Sequence, residues 1–335
     1  MNFKRIFIEE AVQGNPQVIH ILKQFPKVEQ TTIKKIEDVF GKVRKPYLHK
    51  RDDLNLFLGE KKGALVKEAP PAYGTKGDPH YYFIHAYNCI YECEYCYLQG
   101  YFYSPDIVLF VNHQDILNQM QTVIEKHPEQ KIWFHAGEFS DSLNLSHLTG
   151  ELPFYFDFFS KHTQASLELR TKSSQLEPLL KMQPLQNVII SYSLSPENAV
   201  KKYDHKAASL SMRLSAMATL QKQGFPVAIH LDPIIWSQTL DKDYEQLINL
   251  MNTHLNLKNI SYLSLGVVRF TKDVYREVEK NYPTSELLAA HLIKDKDGKV
   301  RYNQELRMTI LGKVKKMLLA CGLPEEKIYL CMENE

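Results

Sequence analysis

From residue 106 onward, short β-prone runs alternate with helical ones, and this alternation limits the fold more than any single residue does. "DIVLFVN" is followed by the helical "HQDILNQMQTVIEKH", "KIWFHAGE" by "LPFYFDFFSKH", and "ASLELRTKS" by "LEPLLKMQ". "NVIISYSLS" precedes "LSMRLSAMATLQKQG", "PVAIHLDPII" precedes "DYEQLINLMNTHL", and "ISYLSLGVVRF" is the last clear strand. Strands separated by helices pair in parallel through right-handed crossovers. Six such units predict an α/β fold, a partial (β/α)6 barrel of the TIM type, short of the eight units of a closed one. Active residues of such barrels sit at the C-terminal ends of strands, which singles out Glu138, Lys172, Ser193, Asp232 and Arg269.

The 335 residues are enough for two domains or one large one. Residues 1–75 read as a separate N-terminal helical and loop region, with "NPQVIHILKQFP" and "QTTIKKIEDVFGKV" as short amphipathic helices and the Pro- and Gly-rich "KEAPPAYGTKGDPHYY" as a loop into the core. Residues 76–335 form the barrel unit. It closes with a β-hairpin around the Asp-Gly of "HLIKDKDGKVRYNQ", a helix over "QELRMTILGKVKKMLLACG" and a short strand in "KIYLCME". A formal charge of +2 gives no global pull toward nucleic acid, so any such surface is a local basic patch, in the hairpin or in "KVRKPYLHKR" at 42–51. No apolar stretch approaches the roughly 18 residues of a membrane span. Glu9 and Glu10 follow the first apolar run directly, unlike a secretory signal. The expectation is a cytoplasmic protein with no membrane partner.

Five cysteines, an odd number, argue against a disulfide framework. Three of them crowd into "NCIYECEYCYLQGYF" at 88–102, as Cys89, Cys93 and Cys96, spaced C-x3-C-x2-C. Thiolates are soft ligands that suit zinc or iron–sulfur clusters. A structural zinc takes four ligands, usually as two separated pairs, and here the nearby candidate for a fourth is His85. Ferredoxin-type clusters use four cysteines; three thiolates can instead hold three irons of a 4Fe–4S cluster and leave the last one open.

This spacing, with the aromatic Tyr95 just before the third cysteine, resembles the radical S-adenosylmethionine (SAM) superfamily. The resemblance implies a 4Fe–4S cluster whose open iron binds SAM, reductive cleavage of SAM, hydrogen abstraction from substrate, and an electron donor such as a flavodoxin or ferredoxin. More of the chain is similar to one family, the spore photoproduct lyases, which revert a methylene-bridged thymine dimer in DNA. The similar stretches are "CEYCYLQ", "SDSLNLSHLTG", "LRTKSSQLEPLL", "SYSLS", "GFPVAIHLDPII" and "RFTKDVYREVEKNYP", spanning 80 to about 300. The resemblance makes Cys89, Cys93 and Cys96 the cluster ligands and Tyr95 the ring against the SAM adenine. It makes Tyr97 a hydrogen relay, and Lys172 and Ser193 SAM contacts. It also makes the hairpin a DNA-inserting element with Lys299, Arg301 and Tyr302 as contacts.

One position departs from that pattern. The lyases carry a hydrogen-donating cysteine in the segment matching "HAGEFSDS", and Glu138 stands there. A carboxylate O–H bond is too strong to replace a thiol in that step. "AGE" resembles instead the Gly-Gly-Glu-Pro motif that binds the SAM amino group, which makes Glu138, with Ser140 beside it, a SAM ligand. Cys331 in "IYLCME" is then the candidate displaced donor, while Cys321 in "MLLACG" reads as a core residue. The leading expectation is a carbon–carbon lyase that repairs a thymine photoproduct. The alternatives are a radical SAM enzyme of the same scaffold with another substrate, and a non-catalytic zinc- and nucleic-acid-binding protein.

Overall fold

Seven parallel strands, curled around a polar lumen, carry the site. The computed structural model describes residues 2–42, 47, 52–70, 77–289 and 291–333. The sheet runs β18-β14-β13-β11-β10-β9-β5-β4. Its strands are Ile328–Leu330 (β18), Leu263–Val267 (β14), Val227–Ile234 (β13), Val188–Ser193 (β11), Ala165–Thr171 (β10), Ile132–Ala136 (β9), His80–Phe83 (β5) and Val66–Glu68 (β4). All neighbouring pairs are parallel except β4 with β5. The partial barrel is as expected, but its membership differs at both ends. β5 lies in what reads as loop and is the first parallel strand, and β18 adds a last one.

"DIVLFVN" is a strand, Ile107–Phe110 (β8), but it belongs elsewhere. It pairs with Leu56–Gly59 (β3) and Ala86–Tyr87 (β6) in a second sheet of order β2-β1-β3-β8-β6, with Arg5–Glu9 (β1) and Glu29–Ile33 (β2). A short apolar run announces a buried strand without saying which sheet will take it. The N-terminal region expected to be helix and loop therefore also supplies three strands of this sheet. Pro16–Gln24 is a helix as read, capped by the Asn15 side chain. "QTTIKKIEDVFGKV" is not: its β-branched Thr31, Thr32 and Ile33 pair with β1, and only Ile36–Asp38 makes a single 3-10 turn. Ile33, Ile36 and Phe40 have helical spacing, yet they pack as a strand end and a turn against Phe57 and Val108. The boundary expected at residue 75 lies outside the described residues. The N-terminal sheet recruits β6 and β8 from beyond it.

Each barrel strand alternates. Phe134, Leu167, Leu169, Ile190, Ile229, Leu231, Leu263 and Leu265 point outward into the main core beneath the helices. The intervening residues face the lumen, where Trp133, Ile189, Ala228, Tyr262 and Tyr329 close the bottom as a separate cluster. Above them the inward positions turn polar: His80, His135, Glu168, Ser191, His230 and Ser264 are all buried. Among the described residues no helix is long and apolar enough to cross a membrane.

Candidate active site

The cysteine loop is pinned at several points. Asn88 adopts the left-handed conformation (φ 62°) that asparagine tolerates, and its Nδ2 donates to the Ser104 and Asp106 carbonyls, both at 2.7 Å. Glu92–Cys93 (β7) pairs antiparallel with Asp204–His205 (β12), setting Cys93 opposite Asp204. Behind the loop lies the helix Lys272–Asn281. A Cβ on Gly100 would sit 2.9 Å from the Val274 Cα. Asn281 Nδ2 donates to Gln99 Oε1 at 2.9 Å, and Ser285 Oγ bonds Glu94. The "RFTKDVYREVEKNYP" stretch is thus the brace of the cysteine loop.

No disulfide joins any of the five cysteines. Cys89 Sγ accepts from the Tyr91 amide at 3.4 Å and from Asn144 Nδ2 at 3.3 Å. Three thiolates, each on a different iron, suit a 4Fe–4S cluster with one open iron. The anionic charge of a thiolate-bound cluster also has a local counterpart. Burial pulls the Lys172 ammonium down, but Cys93 and the Asp204 carboxylate outweigh it and hold it above its usual value. The three cysteines with Lys172 fit a 4Fe–4S cluster.

Lys172 follows β10, and its Nζ lies 5.3 Å from the Tyr95 ring centroid. The Tyr95 hydroxyl donates to Asp204 Oδ1, so this tyrosine is tied beneath Lys172. Asp204 Oδ2 is 2.7 Å from Arg213 NH2 in a fully buried ion pair. Arg213 also donates to the carbonyls of Ala208 (2.8 Å) and Ser193 (3.0 Å). Arg213→Met would leave Asp204 buried beside one cation fewer and should cost about 3–5 kcal/mol, the scale for breaking a buried pair from one side. Urea unfolding of both forms measures it, and Asp204→Asn in the same chain should recover part of the loss.

The loop after β9 begins at Gly137, with φ 87° and a virtual Cβ 2.6 Å from Ser142 Oγ. Both facts require glycine there. Glu138 follows, half-buried, and its charge raises the Tyr82 phenol after burial has done so first. Ser140 is buried, its amide donating to the Gly137 carbonyl at 3.4 Å. Asp141 ties this loop to the neighbouring strand. Besides the Leu143 and Asn144 amides, it accepts Thr171 Oγ1 at 2.7 Å and the Lys172 amide at 2.8 Å. It locks the Glu138 loop to the end of β10.

Farther along the same rim, Asp232 takes both ends of the Arg269 guanidinium, at 3.1 and 3.0 Å. Asp232 packs over Gly266, where a Cβ would meet its carboxylate at 2.7 Å. Cys331 directly follows β18, its amide bonded to the Leu265 carbonyl at 2.7 Å and its Sγ 3.4 Å from Arg269 NH2. Burial, then Asp232, pushes the Cys331 thiol up to about 11 against the pull of Arg269. The strand ends therefore bring Glu138, Lys172, Ser193 and Cys331 to one rim. Tyr97 stands on the 3-10 turn after the third cysteine, 39% exposed.

The hairpin forms as expected, from Leu292–Lys294 (β16) and Lys299–Tyr302 (β17), joined by Arg269–Thr271 (β15). Two of its expected DNA contacts are turned inward. Arg301 pairs with Asp295 (3.0 Å), Asp297 (3.0 Å) and Glu333 (3.5 Å). Tyr302 is buried and its hydroxyl accepts the Trp236 amide at 2.9 Å. The acidic residues of the hairpin neutralise its own arginine. Lys299 stays at the surface, 3.2 Å from Asp297. The other basic stretch, 42–51, lies largely outside the described residues.

Glu168, Arg170, His135 and His230 were missed by motif reading. Their signal is the alternation of Ser166, Glu168, Arg170 and Lys172 in "ASLELRTKS", unusual in a parallel strand, where both faces are ordinarily apolar.

Residues 30–312 match the family model described as spore photoproduct lyase. The chain belongs to the spore photoproduct lyase family. Curated lyases of the family are similar along most of its length: that of Clostridium acetobutylicum is 24% identical over 288 residues, 85% of this chain and 84% of the relative. That of Bacillus subtilis is 26% identical over 216 residues, 64% and 63% of the two chains. A solved spore photoproduct lyase mutant with bound AdoMet and dinucleoside spore photoproduct superposes with a TM-score of 0.86, at 20% identity, over all of this chain and 99% of the other. Another, with dinucleoside spore photoproduct alone, gives 0.86. The fold is that of these lyases.

Proposed function

We propose that this chain is a radical SAM lyase that repairs a methylene-bridged thymine photoproduct of DNA, with a flavodoxin- or ferredoxin-type protein as reductant. When bound through Cys89, Cys93 and Cys96, a 4Fe–4S cluster with SAM supplies the hydrogen-abstracting chemistry. Lys172, Ser193, Ser140 and Glu138 would hold SAM, the ammonium of Lys172 pairing with its carboxylate and the Glu138 carboxylate with its amino group. Tyr95, anchored on Asp204, flanks the adenine, and Tyr97 relays hydrogen.

The observation that carries the reading is Cys331. Breaking the methylene bridge leaves a carbon radical on thymine that needs a hydrogen atom, and Glu138 cannot give one. Cys331 offers a protonated thiol on the same rim, fixed by Arg269 and Asp232. Transfer of its S–H hydrogen completes the thymine and leaves a thiyl at Cys331 Sγ. The DNA contact belongs to this mouth and to Lys299, since Arg301 is engaged by Asp295 and Tyr302 by the Trp236 amide.

The test is anaerobic reconstitution followed by incubation with SAM, reductant and synthetic spore photoproduct dinucleotide. Intact thymine product together with 5′-deoxyadenosine is expected. Deoxyadenosine release with no thymine recovered would move the assignment to the second reading, a different substrate on the same scaffold, which Glu138 at the donor position favours.

A further inference from the structure

Below the rim, one carboxylate organises the lumen. Glu168 is 1% exposed. Its Oε1 accepts Ser191 Oγ at 2.6 Å, His230 Nε2 at 2.7 Å and Arg170 Nε at 3.2 Å. Its Oε2 takes Arg170 NH2 at 3.3 Å and His135 Nδ1. His135 is itself held by His80, at 2.9 Å between Nε2 and Nδ1. Burial pushes Glu168 up, but Arg170, His230 and His135 together hold it well below the usual carboxylate range. A carboxylate with this many donors is immobile, and what it immobilises is Arg170.

Arg170 is the next inward residue of β10, one step nearer the rim and two residues before Lys172. Its side chain is 29% exposed, against 1% for Glu168. The neighbouring pair, Asp232 with Arg269, is differently disposed. Arg269 spends its donors inside the protein: NH1 on Asp232 and the Val267 carbonyl, NH2 on Asp232 and Cys331 Sγ, Nε on Met332 Sδ. Arg170, 29% exposed against 18% for Arg269, is the more accessible guanidinium of the two. The charges sum to zero, since Glu168 and Asp232 balance Arg170 and Arg269. A neutral floor does not select an anion. It suits a neutral ring rich in hydrogen-bond acceptors, because a charged donor gives strong bonds to carbonyl oxygens in a poorly hydrated site.

We infer that Arg170, anchored by Glu168, recognises the substrate by donating to the ring carbonyl oxygens of a pyrimidine-type base held over the lumen floor. This rests on the photoproduct reading above and names how one base of that substrate is bound.

Equilibrium binding without reductant tests it, using reconstituted protein, SAM, and two probes: the dinucleoside spore photoproduct, which has no bridging phosphate, and the corresponding dinucleotide. Arg170→Gln should weaken both probes by at least about tenfold, the scale of a lost hydrogen bond from a charged group, with SAM affinity changed less than about twofold. Because Arg170→Gln removes a counter-ion from buried Glu168, a second form, Glu168→Gln with Arg170→Gln, removes both charges together. It should show the same selective loss with thermal unfolding near that of the parent. Unchanged probe binding in both forms overturns the inference. A loss confined to the dinucleotide overturns it too, by assigning Arg170 to the phosphate. If the unmodified protein binds neither probe, the photoproduct reading fails and this inference falls with it.

Discussion

With Cys93 replaced by alanine, the reconstituted protein should release 5′-deoxyadenosine at least about three orders of magnitude more slowly, the scale on which one member of a cooperating catalytic unit acts. The structural argument is specific to this cysteine. Cys93 is buried, paired through β7 to Asp204, and beside Lys172. Its loss would remove one of the three proposed cluster ligands and one of the groups that hold the lysine above its usual value. Alanine fits the same extended backbone, so the fold should persist by circular dichroism while iron content and deoxyadenosine release fall. Cys321→Ala is the control. That thiol donates to the Leu318 carbonyl at 3.0 Å at the end of the helix Gln304–Ala320 and should leave both measurements unaltered. Normal deoxyadenosine release from Cys93→Ala would remove it from the ligand set.

Cys331→Ala should separate the two halves of the reaction. SAM cleavage continues, because no ligand of the cluster or of SAM is touched, but recovery of intact thymine falls by about 10²-fold or more, as when a positioned proton or hydrogen donor is lost. Products trapped at the radical stage replace it. The pH profile carries a sign. A free cysteine loses its proton near 8.5, whereas the Cys331 thiol is held to about 11. Deprotonation removes the hydrogen to be donated, so the thymine yield per SAM should stay level from pH 7 to 9 and fall only above that window. A fall centred near 8.5, or an unchanged yield in Cys331→Ala, would place the donor elsewhere.

Much of the site was legible because its residues sit at positions that local pattern reveals. Glu138, Lys172, Ser193 and Asp232 follow or end β-prone runs, and in a parallel barrel every such end reaches the same rim. The hairpin was legible too, since Asp297-Gly298 supplies the positive φ that its turn needs. Its chemistry was not. Whether Arg301 faces DNA or Asp295 depends on side-chain pairing across the turn and on Glu333, 32 residues away. Nor was the role of Asp141 legible, because its Thr171 and Lys172 partners lie at the end of another strand.

The sequence by itself determined the parallel barrel, the three-thiol loop and the family. Those depend on periodicity, on spacing within eight residues, and on segments matched in order along the chain. Only the tertiary structure decided which sheet receives β8, which residues share the lumen with Glu168, and that Cys331 ends beside Asp232 and Arg269. Backbone pairing between distant strands and the closeness of opposite charges in a buried space are not local properties. A strand's pattern says which face is buried, and the partner across that face is chosen by the fold.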